Sequence, residues 1–203
     1  EKPLASPPKT ERRGRWKKHV KRLALLAGSL LVTLACLEIA VRLFTNTTPA
    51  LTERDPLIGQ RYLRSFEGNV FNPEAGRKVP VRFNGVGFRG PDRTPEKPPG
   101  VRRIAVLGDS MIASLAVEEP QTMVCQLERL LNQSSPETKW EVLNFGVNGA
   151  SPGQELVLYR EVVSRFQPDL VLGTFFVGND LADNCSRLST NPRIYFDVDE
   201  AGN

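Results

Sequence analysis

Histidine and cysteine are scarce in this chain: its 203 residues hold one histidine, His19, and three cysteines, Cys36, Cys125 and Cys185. Three widely spaced cysteines exclude a disulfide-built scaffold and offer no ligand spacing for zinc, so neither a metal nor a cofactor is implied. Pairing of Cys125 with Cys185 would require a location outside the cytosol and Cα atoms within bonding range, which spacing does not decide. Internal repeats and a distributed basic surface are also missing. The formal charge is +4, yet nine of the 27 Lys/Arg fall in residues 1–22, against only Glu1 and Glu11; the remaining 18 basic and 21 acidic residues net −3. The basic character therefore belongs to a tail. That argues against nucleic acid and, because an apolar run follows, for a membrane. With 40% hydrophobic and 25% charged residues, the composition suits one globular core plus an appendage.

The apolar run extends from Leu23 to Leu37 without a charge and continues through Glu38 and Arg42 to Phe44. As one helix, residues 23–44 would measure about 33 Å, enough to cross a bilayer core. Glu38 and Arg42 lie four apart and can pair on one face, with Arg42 near enough to the end to snorkel into headgroups. The uncharged stretch has no polar face, unlike a buried amphipathic helix. Its basic flank predicts a cytoplasmic N-terminus and export of everything after Phe44. A signal-anchor fits better than a cleaved signal peptide, since no small-x-small cleavage site clearly follows. Thr33-Leu34-Ala35-Cys36 is only loosely similar to a lipobox, with Thr33 where leucine is usual. The expected organisation is a basic cytoplasmic tail (1–22), a single-pass transmembrane helix (23–44), an irregular connector (45–100) and an α/β domain (101–203).

The connector is rich in proline and turn residues mixed with short apolar pieces such as Val79–Phe83; it reads as irregular and partly ordered with a few short strands, ending in a stiff proline-rich linker at Arg93–Gly100. Its glycine-rich segment Asn84–Gly90 precedes no helical pattern and lacks the Lys-Ser/Thr ending of a P-loop. It reads as a tight turn packing Phe88 onto the domain. After Gly100 the pattern becomes regular. Strands are expected at 103–107, 140–144 and 169–176, helices at 121–132 and 154–166, and a further strand at 193–197. Alternating strands and helices predict a parallel sheet flanked by helices, an α/β three-layer sandwich.

In such sheets ligands bind beyond the carboxyl ends of the strands. Those positions carry Gly108-Asp-Ser110, Asn144-Phe-Gly-Val-Asn-Gly149 and Gly178-Asn-Asp180. Taken in order, the three segments resemble blocks I, II and III of the SGNH/GDSL-type serine hydrolases, a resemblance covering residues 101–184. It implies an SGNH/flavodoxin-like sandwich and a serine esterase or acyltransferase. Ser110 would be the nucleophile. The backbone N–H groups of Ser110 and Gly149 and the side-chain amide of Asn179 would form an oxyanion hole, each donor worth about 3 kcal/mol in the transition state. Asp109 and Asp180 read as loop-fixing hydrogen-bond acceptors rather than acids.

The family's general base is a histidine in a late Asp-x-x-His block, and this sequence has none; His19 lies in the basic tail. With no initial methionine and an end shortly after the expected strand 193–197, the chain reads as a fragment. It should leave a sheet edge unpaired and show little or no hydrolase activity by itself. The leading expectation is hydrolysis of a carboxylic ester, such as an acetyl ester of envelope polysaccharide, through an acyl-enzyme. The alternatives are a polysaccharide O-acyltransferase and a catalytically inactive module that binds glycan or protein. A nucleotide-binding domain fits least, since the turn at Gly108 offers a single glycine.

Overall fold

The computed structural model describes residues 9–44, 50–73, 76–189 and 194–196. It divides into two compact units, residues 1–47 and 48–203. The first contains helix α1 (Lys9–Phe44), within which Trp16–Arg42 is long and apolar enough to cross a membrane. Its apolar side chains are exposed, and Arg42 Nε donates to Glu38 Oε1 at 2.7 Å, the pairing expected from their spacing.

In the second unit the short strands expected in the connector pair into two antiparallel hairpins. In the first, β1 (Thr52–Asp55) pairs with β2 (Gly59–Tyr62). Asp55 builds the turn by accepting from Leu57 N (2.9 Å) and Ile58 N (3.0 Å) while its other oxygen pairs with Arg61. Burial alone would raise the Asp55 pKa, but these bonds and Arg61 hold it below the ordinary value. In the second hairpin β3 (Glu67–Asn72) pairs with β4 (Arg77–Arg82), which includes most of the apolar Val79–Phe83 piece. Pro80 is tolerated because β4 pairs on one side only. Tyr62 stacks on Phe83 at 4.2 Å and caps a core with Val79 and Val81.

The parallel sheet has order β6-β5-β7: β5 (Val101–Gly108) lies between β6 (Lys139–Gly146) and β7 (Leu170–Gly173). β5 is buried at every position but Arg102, as a central strand must be. Its flanking helices include α2 (Ser110–Ala113), α3 (Met123–Ser134) and α4 (Pro152–Glu161). Ser151 and Gln154 cap α4 reciprocally, with Pro152 in its first turn. The expected helix 154–166 becomes α4 followed by a 3-10 turn at Val163–Phe166.

The third strand is shorter than the expected 169–176: its paired register spans Leu170–Gly173, and the residues on either side make separate bonds to β5. Asp169 Oδ2 accepts from Arg103 N at 2.7 Å, and Thr174 N and Oγ1 both donate to Leu107 O at 3.1 Å. β7 lies at a sheet edge, with Leu170 and Val171 exposed. Residues 194–196 are not in a strand; Arg193 and Asp197 lie outside the described residues.

The proline-rich stretch 93–100 is not a free linker. It straps the amino ends of the strands: Arg93 pairs with Glu128 (3.0 Å) and Glu141 (3.2 Å), and Lys97 pairs with Asp169 (2.7 Å). Arg103, fully buried, donates to Glu141 (2.8 Å) and to the carbonyls of Pro95 and Phe166. Phe88 is buried against Phe145, the packing expected of the Asn84–Gly90 turn.

Candidate active site at the carboxyl ends of the strands

Register places the three singled-out loops side by side. Gly108 lies opposite Gly146 and Leu107 opposite Gly173, so Ser110 leaves the central strand between the loops that carry Gly149 and Asn179. Adjacent strands lie about 4.8 Å apart.

Ser110 is the first residue of α2. It is exposed, and its hydroxyl makes no hydrogen bond among the described residues. Asp109, buried behind it, accepts from Met111 N at 2.8 Å and so caps the turn, a loop-fixing role as expected. The support beneath α2 comes from β6. Asn144 Nδ2 donates to Ile112 O at 2.8 Å, and its Oδ1 accepts from Gly146 N at 2.9 Å. Gly146 must be glycine, because a Cβ there would collide with the backbone of Ile112 and Ala113. Arg89 holds the other side. Its guanidinium donates to the carbonyls of Ala113 (3.2 Å), Ser114 and Val117 (2.6 Å), which follow Ser110. Burial pushes the Arg89 pKa down, against Glu119 nearby.

After β6, Val147 N donates to Gly108 O at 3.0 Å, and the chain turns through Gly149 at φ +71°, a conformation suited to glycine. Tyr62 reaches this turn from β2: its hydroxyl donates to Asn148 Oδ1 (2.8 Å) and accepts from Asn148 N (3.0 Å). Gln60 Nε2 donates to Asn148 O at 3.3 Å. Between hairpin and turn lies a cleft of about 440 Å3 lined by Arg54, Gln60, Asn148, Gly149 and Gln154 over a floor that includes Ile58 and Leu158.

On the other side of Ser110, Asn179 precedes the short helix α5 (Asp180–Asp183). Its side chain does not cap the helix; Nδ2 donates to Asp183 Oδ2 at 2.7 Å. Asp180 Oδ2 accepts from Phe176 N at 2.7 Å and fixes the loop, as expected. No protein-family model matches the chain, and no curated protein matches it in sequence. At the third strand end the chain departs from the expected Gly-x-Asn-Asp: it reads Val177-Gly178-Asn179-Asp180, with Val177 where the glycine is expected.

Behind these loops sits a carboxyl group that sequence reasoning missed. Glu155, on α4, is 6% exposed, and its Oε1 has no hydrogen-bond partner among the described residues. Burial, then the charges of Asp180 and Asp109, push its pKa up to about 8, so it is a neutral acid at pH 7. It lies on the stripe of Leu158 and Val162, three and seven residues on, and an acid on an apolar stripe was the available signal. Burial likewise raises the Tyr62 phenol far above its ordinary value, with Asp109 adding and Asn148 N and Arg89 opposing. Tyr62 and Arg89 had no comparable signal, because their roles depend on how a partly ordered connector folds against distant loops. Cys125 and Cys185 are free thiols. His19 belongs to α1, in the other unit.

Proposed function

We propose that the chain is part of a membrane-anchored serine ester hydrolase in which Ser110 attacks an ester carbonyl. The observation that carries this reading is the exposed, unbonded Ser110 hydroxyl at the end of the central strand, flanked by the Gly149 turn and the Asn179 loop. In the proposed reaction the Ser110 oxygen bonds to the carbonyl carbon and its proton leaves to a base. The carbonyl oxygen takes the negative charge within reach of the N–H groups of Ser110 and Gly149 and the Asn179 amide. Collapse expels the alcohol, which takes up the proton, and water then releases the acid from the acyl-enzyme. In SGNH enzymes the base is histidine; these 203 residues contain no Asp-x-x-His block, so they are expected to hydrolyse little alone.

Helix α1 supports an anchor, and the basic residues 1–22 support a cytoplasmic N-terminus with the α/β unit exported, where acylated envelope glycans are the natural ester class. The test uses protein expressed from the complete coding sequence. A fluorophosphonate should label Ser110, and p-nitrophenyl acetate hydrolysis should disappear in Ser110→Ala. Equal hydrolysis by both proteins would sink the proposal. Protection of engineered cysteines after Phe44 from an external maleimide would overturn the orientation.

A further inference from the structure

If Gly149 is an oxyanion donor, something must aim its N–H. Backbone in the left-handed region at a surface turn gains no direction from a sheet ladder, and a donor misplaced by an ångström loses much of its effect. We propose that Tyr62 and Gln60, on the β1–β2 hairpin, are positioning residues that fix the Asn148–Gly149 peptide and thereby the direction of the Gly149 N–H; this rests on the hydrolase reading above.

Three hydrogen bonds converge on Asn148 from two side chains. The Tyr62 hydroxyl bridges its backbone N–H (3.0 Å) and its side-chain oxygen (2.8 Å), while Gln60 holds its carbonyl oxygen (3.3 Å). The peptide is trans and planar, so Asn148 C=O and Gly149 N–H point in opposite directions. A donor fixed on that carbonyl from the hairpin side turns the Gly149 N–H away from the hairpin. The Tyr62 ring needs no hydroxyl for its own packing, which is a stack on Phe83 at 4.2 Å in a closed apolar cluster. Burying a phenol oxygen is unfavourable unless it is bonded, and both bonds at this oxygen go to Asn148. The hydroxyl is therefore explained by the turn and not by the hairpin core. The hairpin can hold the turn because it is itself held: Asp55 closes its loop, and Gln154 of α4 donates to Ile58 O at 3.2 Å from below.

The experiment compares wild type, Ser110→Ala, Tyr62→Phe and Gln60→Ala, all expressed from the complete coding sequence, in p-nitrophenyl acetate hydrolysis and thermal unfolding. Tyr62→Phe keeps the ring. It should lower kcat about 10- to 100-fold, leave KM within about twofold and shift Tm by only a few degrees. Gln60→Ala, at a half-buried hairpin position, should lower kcat in the same sense by a smaller factor, and it keeps the proposal testable if Tyr62→Phe folds poorly. Amide hydrogen exchange across residues 147–150 should quicken in both variants. If Ser110→Ala is inactive while both hairpin variants match wild type in kcat, the positioning role is overturned and the hydrolase reading stands. A loss confined to KM would also overturn it, since a cleft wall that only binds substrate predicts that split. If Ser110→Ala is as active as wild type, the hydrolase reading fails and takes the purpose assigned to Tyr62 with it.

Discussion

The two ends of the parallel sheet handle charge in opposite ways. At the amino ends of the strands, carboxylates and cations meet in pairs: Arg103 with Glu141, Arg93 with Glu128 and Glu141, Lys97 with Asp169. At the carboxyl ends, Glu155 is buried beside two further acids, and Arg89 spends its donors on three carbonyls. A buried carboxyl group with no bonded partner keeps its proton because charging it there is costly, and a structure tolerates such a group where something other than stability is served. The strap at one end holds the sheet together so that the other can keep loops whose polar groups face a cleft. Asp169 and Glu155 show the contrast in one chemical group: the hydrogen bond from Lys97 holds one below the ordinary carboxylate range, and burial lifts the other to about 8.

The comparison breaks most sharply at Arg103. Arg103→Met removes a fully buried partner of Glu141 and leaves the Phe166 and Pro95 carbonyls without their donor. A loss of about 3–5 kcal/mol in urea unfolding is expected. The labelling rate of Ser110 per folded molecule should not change; a fall would mean that the two ends are not separable.

Glu155 comes next. Its native pKa of about 8 exceeds its ordinary 4.5, so between those values the native state holds a proton that the unfolded chain has released. Stability from this group is fully present below pH 4.5 and is lost as pH rises through 8. E155Q, permanently neutral, should lack that alkaline loss and exceed wild type by about 2–4 kcal/mol at pH 9, at 1.4 kcal/mol per unit less relaxation of the site. Parallel unfolding curves for the two proteins from pH 5 to pH 9 would show that Glu155 is charged at neutral pH.

Gly146→Ala tests how closely the site depends on its support. A methyl group would drive into the backbone of α2, costing about 1–3 kcal/mol, and should slow labelling of Ser110 by moving the turn that presents it. Stability loss with unchanged labelling would detach Gly146 from the site.

How much of this is legible in the sequence depends on whether neighbours along the chain are also neighbours in space. The β5, α3, β6 and α4 segments announce themselves because their apolar period reports a face buried by the sheet itself, and the Ser151/Gln154 cap is local chemistry written within four residues. β7 ends three residues before the expected 176: hydropathy continues through Phe175 and Phe176, whereas pairing with β5 stops at Leu107 and Gly173. The connector hides its hairpins for a similar reason: turn residues mark hairpins and irregular loops alike, and the pairing of β3 with β4 is set by register. Ser110, Gly149 and Asn179 are visible as strand-end residues. The residues around them, Tyr62, Arg89 and Glu155, act across gaps of up to 86 positions, as from Tyr62 to Asn148. No window along the chain contains both partners of such a contact.

The smallest effect belongs to the paired end. The Asp169 pKa is lowered by the hydrogen bond from Lys97, then by Arg103 N, so its contribution is present above the ordinary carboxylate range and is lost as pH falls through the lowered native value. Its side chain is about one-third exposed, and screening by water limits the effect to under about 1 kcal/mol. Asp169→Asn should therefore lose slightly at pH 7, and its deficit should shrink as pH falls below the ordinary carboxylate range, the opposite pH sense to Glu155. Urea unfolding of both variants across that range reads the two ends of the sheet separately. If Asp169→Asn and E155Q shift stability in the same direction with pH, the division of the sheet into a paired end and an unpaired end is wrong.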